Sequence, residues 1–285
     1  MNTSLTLSCG GRTVARYTYL PTTATALSPR PYLHPVTTLG GTPVTEELPD
    51  DHRHHLGAGV AVPDVGGHNF WGGRTFVRGR GAVEMDNHGA QTHIEFKLSD
   101  TDGFVEELSW RADGVELLRE LRTVAVTGLT ASAYALDFTS VLTNTGGADL
   151  AIGSPATNGR PGAAYGGFFW RAPKERAAPE VFGEELDSEH SEHTEHTLNG
   201  SRRAWLALAG DGWTLVFAGA TARTREDPWF VRSGDYPGVG SSLAHSEPLP
   251  VAAGASVVRR VVTVVADGRP GRAEAAALVR KAVTS

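Results

Sequence analysis

The sequence predicts an all-β protein, a large antiparallel β-sandwich with little helix beyond its C-terminal end. Apolar and β-branched residues alternate with polar ones in run after run. Gly, Asp or Asn bounds each run, and the one convincing helical pattern is terminal. A chain of 285 residues buries a large core without disulfides or metals, and sandwiches of comparable length fold as one unit, so a single domain over 1–285 is expected.

From the N-terminus, Leu5 and Leu7 alternate with small polar residues, and Val14, Tyr17 and Tyr19 follow across Gly10-Gly11, which predicts a hairpin. Further β-type runs cover His93 to Leu98, Phe104 to Trp110, Val115 to Val126, Ala135 to Leu142, Trp205 to Ala209 and Trp213 to Ala218. Arg122 to Val126 and Val257 to Val265 are rich in β-branched residues, which suit a pleated, half-buried surface. The glycine pairs 66–67, 72–73 and 166–167 sit beside aromatic residues and predict bulges and tight turns. Ala172 to Gly200 is polar and acidic without periodicity, and reads as a loop or insertion. After Asp267-Gly268-Arg269-Pro270-Gly271, the good helix formers from Arg272 to Val283 predict a helix packed on the sheets.

A net charge of -6 supplies no concentrated positive field, so nucleic acid is not an expected partner. No window is apolar over a membrane-spanning length, so neither is a membrane. Cys9 is the single cysteine, the usual pattern of a reducing compartment, and the N-terminus lacks a basic start followed by an apolar run; the cytoplasm is the expected location. The oligomeric state is left open.

The densest chemistry lies in Pro49-Asp50-Asp51-His52-Arg53-His54-His55-Leu56-Gly57. Imidazoles titrate near neutrality and ligate metals, and carboxylates beside them fix their tautomers. In an extended segment His52 and His54 would share one face, open to a divalent metal, and His55 would point to the other. A metal-free active site, a metal site and a purely hydrogen-bonded turn are all compatible with this run. Upstream, His34 sits between Pro31 and Pro35 in Arg30-Pro31-Tyr32-Leu33-His34-Pro35, where restricted backbone either presents the ring in a fixed direction or leaves it on a local carbonyl.

Downstream, His68-Asn69-Phe70-Trp71-Gly72-Gly73 offers an amide and an indole suited to stacking on a sugar, or to rim packing. Tyr165 to Arg171 and Asp227 to Tyr236 each carry an aromatic run ending in arginine, whose fork suits carboxylates and vicinal oxygens and equally suits a cation–π lock. Glu189 to Glu195, with His190, His193 and His196, reads as a solvated tract. Nucleotide-binding glycine motifs are missing from their strand–turn–helix context, and Cys9 has no base nearby in sequence.

Taken in order, the 30–35 segment, Pro43-Val44-Thr45, Asp51-His52-Arg53-His54-His55, Asn69-Phe70-Trp71, Tyr165-Gly166-Gly167 and Pro228-Trp229-Phe230-Val231-Arg232 resemble a bacterial family labelled methane oxygenase PmoA. The resemblance runs from about Arg30 into the C-terminal strands, with Leu56 standing where that pattern has an arginine. It implies a sandwich of the kind used by sugar-active enzymes, for which a galactose-mutarotase-like supersandwich is one form. It does not imply methane oxidation, because the membrane subunit of that name spans the bilayer.

The resulting expectation is an enzyme hydrolysing, eliminating from or epimerising a sugar or oxidised sugar derivative. His34, Asp51, His52, His54 and His55 form its catalytic set, and Asn69, Trp71, Tyr165, Arg171, Trp229 and Arg232 its binding set. The ligand is a small molecule or carbohydrate, and no cofactor is required. A non-catalytic carbohydrate-binding protein is one alternative. The other is a metal-dependent oxygenase or hydrolase with His52, His54 and Asp50 or Asp51 as ligands.

Overall fold

The computed structural model describes residues 3–185 and 194–284, and folds the alternating runs into two large antiparallel sheets. The first part of the chain forms β1 (Ser4–Cys9), β2 (Arg12–Thr18), β3 (Tyr32–Val36), β4 (Ala58–Val65), β5 (His68–Phe70), β6 (Thr75–Val77) and β7 (Gly81–Val83). Four long strands follow, β8 (Ala90–Ser99), β9 (Gly103–Ala112), β10 (Val115–Gly128) and β11 (Ala133–Asn144). Then come β12 (Leu150–Gly153), β13 (Gly167–Arg171), β14 (Glu180–Gly183), α1 (Glu195–Leu198), β15 (Trp205–Ala209) and β16 (Trp213–Gly219). The chain ends with α2 (Ala222–Arg225), β17 (Trp229–Arg232), β18 (Gly238–Ser241), β19 (Leu249–Val251), β20 (Ser256–Asp267) and α3 (Arg272–Thr284).

One sheet runs β1-β2-β3-β4-β13-β18-β17, with β5, β12 and β19 at its side; the other runs β14-β15-β16-β20-β11-β10-β9-β8, and β6 and β7 make a small ribbon. The predicted sandwich, the β1–β2 hairpin and every long run expected as a strand are present. Side chains alternate between faces along a strand. Tyr17, Val60, Phe168, Trp170, Trp229 and Val231 therefore meet Phe104, Leu108, Trp110, Leu136 and Phe217 of the facing sheet in the main core. The helix α3 buries Ala275, Leu278, Val279 and Ala282, spaced for one face, on Ala207, Val216, Val262 and Val264.

The 172–200 segment departs from the loop reading: β14 pairs with β15 and buries Val181 and Phe182, and Thr194 caps α1. Its short apolar stretch is a sheet edge, too brief for periodicity to register. The histidines 190 and 193 lie outside the described residues, while His196 is exposed on α1. Among the described residues no helix is long and apolar enough to cross a membrane.

Candidate active site

Alternation that sends Phe168 and Trp170 into the core sends Phe169 and Arg171 to the far face of the ten-stranded sheet. There Phe169 packs with Ala61, Trp71, Phe230 and Tyr236, and with the half-buried Tyr165. The loop between β3 and β4 folds over this face. Glu46 N–H donates to the Arg171 carbonyl, Gly57 N–H to the Glu46 carbonyl, and Leu48 N–H to the His55 carbonyl. Gly57 adopts φ +49, and a Cβ there would stand 2.1 Å from the Leu33 carbonyl oxygen, so glycine is required for the loop to close on β3.

Within that loop the backbone is not extended. His52 N–H donates to the Pro49 carbonyl and His55 N–H to the His52 carbonyl, two successive turns that bring all three imidazoles together. The face assignment expected from an extended segment is therefore corrected: His52 and His55 stack at 4.7 Å and 18°, and His54 stands edge-on to His55 at 4.8 Å. Tyr236 closes against His52 at 4.6 Å and His55 at 5.0 Å, and Trp71 meets the His55 edge at 5.8 Å. Gly72 and Gly73 let the Trp71 loop lie on His54; a Cβ on Gly73 would stand 2.9 Å from His54 Nδ1.

Two buried arginines set the electrostatics. Arg30 has no carboxylate partner among the described residues; its guanidinium donates to the carbonyls of Leu27, Ser28, Trp71 and His54, the last at 2.6 Å. Burial, and then the Arg122 charge, pull its own pKa down to about 9. Arg171 binds Glu46 Oε2 at 2.7 Å, reaches Asp51 Oδ1 at 3.3 Å and lies over Tyr236. Burial, reinforced by the charges of Arg30, His52 and Arg171, depresses His54 to about 3. His55 is likewise held well below the usual imidazole range, by burial and then by its imidazole and arginine neighbours. For Asp51 burial acts upward, but Arg171, His52 and Lys174 outweigh it and keep the carboxyl ionised. Burial keeps the Tyr236 hydroxyl protonated. The result is a neutral imidazole pair beside the ionised Asp51. Among the described residues neither His54 ring nitrogen has a hydrogen-bond partner, and neither is fully buried.

Of the predicted residues, Asp51, His52, His54, His55, Trp71, Tyr165 and Arg171 come together in this cluster. Trp71 stacks with Tyr165 at 4.6 Å, and Arg232 lies over Phe230 at the rim, near Glu195. Three residues depart from their expected roles. His34 faces Thr45 and Glu47, in a separate network with Tyr32, and among the described residues has no ring contact with another histidine. Asn69 is buried and satisfied: Oδ1 accepts the Trp71 and Gly72 N–H groups, and Nδ2 donates to Gly73 and Thr75, so it shapes the loop. Trp229 points into the inter-sheet core and donates Nε1–H to the Arg203 carbonyl, because it sits an odd number of positions from Arg232.

Sequence reasoning missed Phe169, Phe230 and Tyr236, although the same alternation counted from Arg171 and Arg232 gives the two phenylalanines. Glu46 and the carbonyl-bound Arg30 leave no such signal. Among the described residues no three His, Cys, Asp or Glu side chains are placed to hold one metal ion.

Fold and site together define a two-sheet β-protein with a histidine-aromatic cluster on the outer face of one sheet. The chain belongs to a family of unknown function (DUF6807), whose model matches residues 4–280. This corrects the resemblance to the PmoA family: the segments that suggested it lie within the match to DUF6807. No curated protein matches the chain.

Proposed function

We propose that this protein is an enzyme acting on a sugar or oxidised sugar derivative by proton transfer at a carbon beside a carbonyl. The observation that carries the reading is His54, neutral at pH 7, without a hydrogen-bond partner at either ring nitrogen among the described residues, and set beside an aromatic cluster of the buried Trp71 and Tyr236 and the half-buried Tyr165. The partly exposed ring of Tyr165 suits the apolar side of a pyranose, and Arg232, Lys174 and Asp51 supply polar groups around it.

In the proposed step a His54 ring nitrogen takes the proton from carbon. The C–H electron pair becomes the C=C bond of an enolate, and the carbonyl π pair moves onto oxygen. Negative charge developing there acts against the burial and the neighbouring cations that depress His54, and raises its basicity as the proton arrives. Return of a proton from water to the opposite face, with His54 releasing to solvent the proton it took, epimerises the carbon; departure of a β-substituent with its bonding pair completes an elimination. Asp51 Oδ1 stands 3.5 Å from His52 Nδ1 without a hydrogen bond and places its carboxylate charge beside that ring. The cytoplasmic location expected from the lone cysteine belongs to this reading, and fractionation of cells carrying the tagged full chain checks it.

Incubation in D2O with a panel of aldoses, ketoses, oxidised glycosides and sugar acids, with chelator present, tests the proposal. Mass spectrometry is expected to show one deuterium gained, or loss of a β-substituent. His54→Gln is expected to lower the rate by about 100- to 10,000-fold, the range for a general base, with its melting temperature nearly unchanged. Deuterium exchange surviving in His54→Gln, or turnover seen only when the chelator is omitted, would count against it.

A further inference from the structure

Arg171 is fully buried and its guanidinium is fixed on three sides. Its Nε and Nη2 donate to Glu46 Oε2 at 2.9 and 2.7 Å, Nη2 also reaches Asp51 Oδ1 at 3.3 Å, and the plane stands 4.9 Å from the Tyr236 ring centre. Nη1 is left 3.3 Å from His55 Nδ1. A guanidinium stays protonated and carries only donors, so Nδ1 has to accept, and the single proton of a neutral His55 lies on Nε2. Among the described residues Nε2 has no hydrogen-bond partner, and it is not one of the fully buried unpartnered atoms. His55 as a whole is only 2 % exposed, and Nε2 keeps part of that narrow access, on the same cluster as the His54 ring. A second proton on Nδ1 would set an N–H against the guanidinium in a buried site.

We infer that His55 is a fixed Nε2–H donor, set in that tautomer by Arg171, and that it recognises an electron-rich ligand oxygen, a carbonyl or the enolate derived from it. This divides the histidines: His54 moves the proton, and His55 binds the oxygen without titrating. Arg171 is a positioning residue. The identity of the ligand oxygen rests on the function proposed above; the tautomer does not. A preorganised neutral donor favours the state in which charge has moved onto oxygen, so the site selects carbonyl forms over their alcohols.

The test uses the full chain labelled with 15N in its imidazoles, with His55 assigned by the signal lost in His55→Asn. His55 is expected to show an unprotonated Nδ1 and a protonated Nε2 from about pH 5 to pH 9, where an ordinary imidazole titrates. A proton on Nδ1, or titration within that range, overturns the inference. Arg171→Met is expected to let both nitrogens share the proton; should that variant not fold, the wild-type spectrum decides alone. In turnover, His55→Asn keeps an N–H donor and is expected to lose about tenfold in kcat with an unchanged pH profile, whereas His55→Phe is expected to lose about 100- to 1,000-fold. Equal losses in the two variants overturn the donor role. The spectrum needs no substrate, so a wrong tautomer sinks this inference while leaving the proposed function standing. A right tautomer in a protein that exchanges no deuterium sinks the proposed function alone.

Discussion

The behaviour of His54 follows from where its neighbours hold their charge. An unfolded chain protonates this imidazole near 6.5, whereas the folded site, desolvated and beside Arg30, His52 and Arg171, does so only at about 3. Unfolding therefore takes up a proton between those values, and folded stability falls as pH drops through that window; above 6.5 the group contributes no slope. His54→Gln is expected to shed part of that loss, read as a smaller difference between urea midpoints at pH 7 and pH 4.5. An unchanged difference would mean that the ring is not buried neutral. The density of His52, His54 and His55 beside Asp51 was legible in the sequence, because residue type and local spacing carry it. Arg30 was not: its partners are backbone carbonyls from three separate segments, and a carbonyl has no sequence signature. Asn69 was misjudged for the same reason, since its amide is spent on backbone groups of its own loop.

Strands were legible where they are long, since period-two alternation needs several residues to register, as in β9, β10, β11 and β20. Short strands such as β14 and β17 fell below that limit. In β17 the period itself was the missing step: Trp229 and Arg232 occupy opposite faces, and the residue that joins the site is Phe230. Loops that carry the cluster depend on glycine rather than on periodicity. Gly72 sits at φ +97, and a Cβ there would stand 2.6 Å from the Leu27 carbonyl oxygen and 2.9 Å from His54 Cβ. Gly72→Ala is expected to cost more than about 1 kcal/mol in urea unfolding, because both the conformation and the space are wrong for a side chain. A neutral or stabilising result would show that the Trp71 loop is free to sit elsewhere.

The two sheets are joined through a polar centre as well as an apolar one. Arg122, fully buried, binds Glu120 on its own strand, Gln91, the Tyr17 hydroxyl and the Pro31 carbonyl, and so ties β10 to β2 and to the segment that bears Arg30. Glu106, also fully buried, accepts from Tyr17 and lies 2.6 Å from His93 Nδ1. Arg122→Met leaves Glu120 without its cation and is expected to destabilise by about 3–5 kcal/mol, measured by urea unfolding. A loss below about 1 kcal/mol would show that the network relaxes or admits water. The all-β sandwich was readable because burial of alternating faces over this length has few other solutions. The placement of the cluster outside the sandwich depends on which face each strand turns inward, which is set by pairing across the chain. That placement yields its clearest outcome in thermal unfolding of the wild type, His54→Gln and Tyr165→Ala against sugars, oxidised sugars and sugar acids, with chelator present throughout. One class of ligand is expected to raise the melting temperature of the wild type and His54→Gln alike and to lose its effect in Tyr165→Ala. Stabilisation that survives Tyr165→Ala, or none from any member of the panel, would contradict a ligand site on this face.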